Sequence, residues 1–185
     1  MTASIGNSDC YTDRRIWADQ FIAANRVALF TELAKLAKPE DDYKRGIDFE
    51  VRGAKVSARN RRIKYLREYP DEFTVRLGRP LLTNNSKGAL VPVTPLRFPN
   101  SELRKILMGN VDLFLYGFGE FERLVSWKIF DFEVFRQWFN IHGYSDENNP
   151  GKLYQNRPDA EGAGTYFLAF DCKMLPDSFL VASGE

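Results

Sequence analysis

The chain has 185 residues, of which 44% are hydrophobic, 14% aromatic and 28% charged. That is enough to bury a core, and the aromatic share excludes a disordered chain. Lys plus Arg number 26 against 25 Asp plus Glu, a formal net charge of +1, so a uniformly basic nucleic-acid coat and an acidic solvating tail are both excluded.

Residues 1–14 read as a polar, flexible arm without the apolar stretch of a signal peptide. No run approaches the ~20 apolar residues of a membrane helix, and a soluble, cytoplasmic protein without a membrane partner is expected. Cys10 and Cys172 lie at opposite ends, outside any CxxC or Cys/His pattern. A structural zinc site therefore has no ligand set.

Residues 15–38 carry Trp17, Phe21, Ala24, Val27, Ala28, Phe30, Leu33 and Leu36 at helical spacing, with Pro39 as the stop. One long amphipathic helix is expected, then a charged loop over residues 40–46. Residues 47–52 alternate apolar and polar, Gly53-Ala54 reads as a turn, and residues 55–61 alternate again, which predicts a β-hairpin. Residues 72–77 read as a third strand and 81–99, with Asn84, Asn85, Gly88 and three prolines, as a mobile loop.

Residues 101–108 predict a short helix with Asn100 or Ser101 as N-cap and Gly109 after its end. The nearly continuous apolar run 111–116 predicts a central strand covered on both faces. Residues 117–120 read as a turn and 124–129 as a strand. Asp131 should cap a helix holding Phe132, Val134, Phe135, Trp138 and Phe139 up to Gly143. A polar loop over 144–164, a last strand over 165–170 and a tail beginning near Leu175 complete the chain. The expected architecture is an α/β (α+β) fold of order α-β-β-β-α-β-β-α-β. It has one mixed central sheet flanked by helices, within a single domain over 15–181 and a tail over 182–185.

Alternation puts Asp48, Glu50 and Arg52 on one side of the first strand, Ser57, Arg59 and Arg61 on one side of the second, and Thr74 and Arg76 on one side of the third. If the three strands pair in order, these side chains share a surface. Residues 44–67 hold nine basic residues (Lys44, Arg45, Arg52, Lys55, Arg59, Arg61, Arg62, Lys64, Arg67) against two acids, a net of +7, leaving −6 for the remainder. Such polarisation is the footprint of a phosphate-backbone binder, with Arg52, Arg59, Arg61, Arg62 and Arg76 as contacts. Tyr43, Tyr65 and Tyr69 flank the patch, where they can stack on bases. A solvated hairpin whose arginines pair with acids elsewhere is the plain alternative.

The order of helix, acid-bearing strand, second strand, helix and further strand resembles the PD-(D/E)XK restriction-endonuclease-like core. The resemblance implies a metal-dependent phosphodiester hydrolase whose clustered carboxylates hold Mg²⁺. Asp48 occupies the first acid position, and Ser57-Ala58-Arg59 stands where acid-x-lysine is expected. Serine cannot replace a carboxylate ligand, and arginine cannot give up a proton near neutral pH. Glu50, a migrated ligand beside Asp48, and Lys55, a stand-in for the lysine, complete the candidate catalytic set. Glu32 or Glu40 to Asp42 can supply a further carboxylate. The strand segments also resemble proteins of phages and mobile elements, which implies an accessory role in the host cytoplasm.

His142 is the only histidine, which argues against triads and HExxH sites, and it reads as a helix-end cation. The row Phe132, Phe135, Trp138 and Phe139 reads as core. Gly117 and Gly119 form no nucleotide-binding fingerprint, and Gly162 and Gly164 read as loop glycines. The leading expectation is a phage-type, nuclease-like protein that binds nucleic acid through its arginine face, with hydrolysis weak or lost. An active Mg²⁺-dependent endonuclease is one alternative. A protein that docks on a host defence protein through the 81–99 loop is another.

Overall fold

In the computed structural model the described residues are 34–78, 80, 82–84, 86–87, 90–92, 98, 101–120, 123–142, 151–155 and 164–185. The polar arm, Cys10, Glu32, Gly162 and the expected helix up to residue 33 lie outside them. The chain is an α/β protein whose described elements divide between two compact units.

The first unit takes in residues up to 70, 112–130 and 180–185. Its described strands are β1 (Ala34–Leu36), β2 (Phe49–Val51), β3 (Ala54–Arg62), β7 (Leu113–Glu120), β8 (Arg123–Asp131, whose last residue falls to the second unit) and β11 (Leu180–Gly184). They form a mixed six-stranded sheet in the order β1-β2-β3-β7-β8-β11. β2 lies antiparallel between β1 and β3, β3 runs parallel to β7, and β11 is antiparallel to β8. Two short helices, α1 (Pro39–Arg45) and α2 (Lys64–Glu68), flank this part of the sheet's sequence.

Several sequence expectations change here. Residues 34–36, assigned to the end of the long helix, extend as a strand because they pair with β2 (Leu36↔Phe49). The charged segment after them is helical rather than a loop. Pro39 supplies the fixed φ of a first turn, Glu40, Asp41 and Asp42 sit at the positive end of the helix, and Gly46 closes it at φ 74. Residues 117–120 continue β7 instead of turning, and the expected tail is β11, bonded to β8 through Gly184↔Trp127.

The continuous apolar run lies between β3 and β8, as its composition requires. Phe114, Leu115, Tyr116 and Phe118 are all buried. On one face Phe49, Val56, Leu115 and Ile129 form a core with Ala34. On the other, Phe114, Tyr116, Phe118 and Phe130 make an aromatic layer, with Tyr116 and Phe118 edge-on at 5.3 Å.

The second unit comprises residues 71–111 and 131–179. Its strands are β4 (Glu72–Gly78), β5 (Leu82–Asn84), β6 (Leu90–Pro92), β9 (Gly151–Gln155) and β10 (Tyr166–Asp171), with helices α3 (Glu102–Leu107) and α4 (Phe132–His142). β4, β10 and β9 form a three-stranded antiparallel sheet. The expected third strand of the hairpin sheet is therefore part of another sheet, because β4 takes β10 as its partner. The segment read as a mobile loop contains a β5–β6 pair (Thr83↔Val91), and the polar segment after α4 contains β9.

Both helices begin as their sequences indicate. The Ser101 hydroxyl accepts from the Arg104 N–H, and Gly109 takes φ 76 after the helix. Asp131 Oδ1 accepts from the N–H groups of Glu133 and Val134. The Arg136 guanidinium donates to the carbonyls of Val111 (2.8 Å) and Ile106 and to Glu133, tying α4 to the end of α3. The hydrogen bond from Arg136 holds the Glu133 carboxyl below its ordinary range. This contribution is present above the usual carboxylate pKa and is lost as pH falls through the lowered one.

Candidate nucleic-acid interface

The site is built on the β2–β3 hairpin. Val51 pairs with Ala54, leaving Arg52 and Gly53 as a two-residue loop with φ of 50° and 87°. Two positive values in succession define a type I′ turn, whose twist matches that of the flanking strands. The turn thus falls one residue earlier than the sequence indicates, and Arg52 belongs to it instead of to the strand's charged side. Arg52 is the one non-glycine residue with positive φ among those described. Glycine or asparagine accepts that backbone readily; arginine there costs about 1–2 kcal/mol.

Asp48 lies just before β2, where the chain bends. Its N–H donates to the Val56 carbonyl on one side, while its own carbonyl accepts from the Ala37 N–H on the other. In a regular strand both groups of one residue point the same way. The bend leaves the Ala58 N–H without a ladder carbonyl, and Asp48 Oδ2 accepts from it at 2.6 Å. The same oxygen accepts from the Ser57 hydroxyl at 3.2 Å, and Ser57 is buried. On the opposite edge of β3, Asp112 Oδ2 accepts from the Lys55 N–H at 2.8 Å, ahead of the first residue of β7. Two aspartates therefore finish the hydrogen bonding of β3, one on each side. Only one of them carried a candidate role in the sequence.

The candidate metal and catalytic residues meet in part. Asp48 adjoins Ser57, and Glu50 stands directly across from Lys55 in the register. A Mg²⁺ ion needs several oxygen ligands around one point. Here the second-motif position offers a hydroxyl that donates to Asp48, and the Asp48 oxygen it meets is already held by a backbone N–H. Among the described residues, no group of three or more His, Cys, Asp or Glu side chains is placed to hold a metal. Among the described residues Asp48 and Glu50 do not by themselves complete a magnesium ligand set, and Glu32 lies outside those residues. The Asp48 carboxylate instead has a structural task. Asp48→Ala is expected to cost about 1–3 kcal/mol by stranding the Ala58 N–H. Asp48→Asn, which keeps an acceptor, should recover most of that loss in urea denaturation.

The five candidate arginines are not brought onto one face. Arg76 is exposed on β4, in the other sheet, where its N–H donates to Glu102 Oε2. Arg52 is at the hairpin tip. Arg59 and Arg61 lie on the face of β3 that also carries Ser57, opposite Tyr116 and Phe118 in the register, and that face of β7 is buried aromatic surface, not a solvent-exposed charged face. Arg62 has the other parity and is exposed. The physical reason is the neighbour of β3: β7, with its buried side chains, takes the position expected of β4.

A different basic grouping replaces it. Lys44 and Arg45 pair with Glu40 (2.6 Å) and Asp41 (3.4 Å) within α1 and are thereby neutralised. Residues 55–67 hold six basic residues and no acid. Its second half, the end of β3 and α2, places Arg62, Lys64 and Arg67 in solvent. None of these three forms an ion pair with the described residues. Arg61 donates to the Tyr116 hydroxyl at 3.1 Å and lies 4.3 Å from the Tyr65 ring centre, with the Lys64 ammonium 4.8 Å from the same ring. Tyr65 thus holds cations, where the sequence suggested a base-stacking platform. Lys64 and Arg67 were counted in the sequence's charge excess but not singled out. Their signal was helical spacing three residues apart, directly after the strand.

Tyr43's side chain lies outside the described set. His142 ends α4 with its ring 5.1 Å from Trp138, and Cys172 is half-buried. No described helix is long and apolar enough to cross a membrane. No protein family, curated protein or solved structure matches the chain.

Proposed function

We propose that this chain is a nucleic-acid-binding protein built on a nuclease-like core, a phage-type accessory protein in which hydrolysis is weak or lost. The observation that carries the reading is the acid-free run of residues 55–67, which ends in α2 just before Glu68, with Arg62, Lys64 and Arg67 in solvent and Arg61 beside them. Exposed guanidinium and ammonium groups that form no ion pair with the described residues are what a phosphate backbone requires. The PD-(D/E)XK likeness is supported by Asp48, at the bend leading into β2, meeting Ser57 on the neighbouring β3, near where that core keeps its two acid motifs. The same contact favours lost hydrolysis, because the serine closes a hydrogen bond where a second carboxylate would be needed. Recognition through phosphates, without free stacking rings at Tyr65, favours paired strands over single ones.

The test is fluorescence anisotropy with a labelled fifteen-base-pair duplex between about 50 and 200 mM salt. Each neutralised phosphate contributes about −0.9 to the slope of log affinity on log salt, so a slope of about −3 to −4 is expected for Arg61, Arg62, Lys64 and Arg67. Binding indifferent to salt, or none at low salt, overturns the reading.

A further inference from the structure

We propose that Arg52, at the tip of the β2–β3 hairpin, is a second phosphate contact, so that the bound nucleic acid must run the length of β3. The inference rests on the nucleic-acid reading and adds to it a residue, a footprint and a minimum ligand length.

The backbone supplies the first argument. Arg52 occupies the first central position of a type I′ turn at φ 50, next to Gly53 at φ 87. That position suits asparagine, aspartate or glycine, and a long cationic side chain gains nothing there from local packing. Strain of this kind persists where the side chain has a task. The side chain supplies the second. Arg52 is exposed and forms no ion pair with the described residues, although Glu50 is two residues away. Its side chain is exposed, and no acid among the described residues pairs with it.

Distance supplies the third. From Ala54, which follows the turn, to Arg61 is seven steps along β3, or about 23 Å at about 3.3 Å per residue. A single nucleotide or a phosphorylated side chain cannot touch both ends. A duplex rises about 3.4 Å per base pair, so at least about seven base pairs are needed to reach from the Arg52 turn to the Arg61–Arg62 end. The two ends of one strand thereby act as a ruler for a continuous polyanion.

The experiment compares wild type, Arg52→Asn and Arg52→Lys on two DNA duplexes, of five and fifteen base pairs. Both are closed at each end by uncharged linkers so that the short one stays paired. Arg52→Asn relieves the turn, and its Tm should rise by about 2–4 °C, which also reports that it folds. On the long duplex it should bind roughly threefold to tenfold more weakly, with a salt slope smaller by about 0.9. On the short duplex it should match wild type. Arg52→Lys keeps the charge and should stay close to wild type on both. Equal affinity and slope of Arg52→Asn and wild type on the long duplex overturn the inference and leave the underlying reading intact. An equal loss on both duplexes overturns the ruler. Wild-type binding without salt dependence brings down the underlying reading, and this inference with it.

Discussion

Replacing Phe135 with alanine is expected to remove about 3–5 kcal/mol of stability. Phe135 sits on the buried side of α4, fully shielded from solvent. Its ring lies 5.2 Å from Phe170, edge-on, and 5.7 Å from Phe73, also edge-on. Phe132, Phe139 and Phe179 close around it at 5.7, 5.6 and 6.1 Å. Deleting the ring forfeits its transfer out of water and leaves a hole lined by stiff rings. Phe73, Phe170, Phe132 and Phe139 are themselves fixed by β4, β10 and α4, so they cannot relax far into the gap. Set against the 5–15 kcal/mol of an ordinary domain, the loss approaches unfolding of the second unit. Urea denaturation followed by tryptophan fluorescence, in a background that keeps Trp138 as the sole tryptophan, reads it directly. Ile141→Ala, on the exposed side of the same helix at 79% exposure, should change stability by less than about 0.5 kcal/mol. A small effect at Phe135 would mean that the aromatic cluster is not the core of this unit.

Phe135 also shows what could be read without coordinates. The spacing of Phe132, Phe135, Trp138 and Phe139 puts one stripe on one helical face, and Asp131 announces where that helix begins. Both are local properties, written within a few residues of one another. The same holds for the hairpin around Gly53, for Ser101 and Gly109 at the ends of α3, and for the apolar run of β7. Pairing between distant segments is another matter. Nothing in residues 72–77 says that β4 will pair with β10 rather than β3, because alternation assigns a face without naming a neighbour. The arginine surface failed mainly on that step, and for Arg52 on the turn falling one residue early. Residues 34–36 carry helical spacing but are held as a strand by bonds to β2, a case of tertiary pairing prevailing over local pattern. Asp48 illustrates the same limit at the candidate site. Its place at the start of a strand, matched to the first acid of the PD-(D/E)XK core, suggested a metal ligand. Its use as an acceptor for the Ala58 N–H depends on a backbone bend that the sequence does not announce.

The largest effect on binding is expected from neutralising Arg62, Lys64 and Arg67 together. Each is exposed, and none forms an ion pair with the described residues, so changing all three to glutamine removes charge without breaking a described ion pair. Arg61 is left in place because its hydrogen bond to Tyr116 has a structural component. At threefold to tenfold per phosphate contact, duplex affinity should fall roughly 30-fold to 1,000-fold, and the salt slope should shrink by about 2.7. Two controls separate local contact from net charge. Lys44→Gln with Arg45→Gln also removes two charges, yet both groups are already paired with Glu40 and Asp41 in α1. That variant should bind within about threefold of wild type with little change in slope. A triple variant that interchanges lysine and arginine keeps every charge and should retain the salt slope, since phosphates need a cation more than a particular fork geometry. If the α1 pair and the triple glutamine variant lose affinity in proportion to charge removed, the run at the end of β3 has no special standing. Binding would then be a property of the whole surface. A loss confined to the triple variant assigns the contact to the end of β3 and to α2 as far as Arg67, where residues 55–67 form the densest basic stretch without an acid.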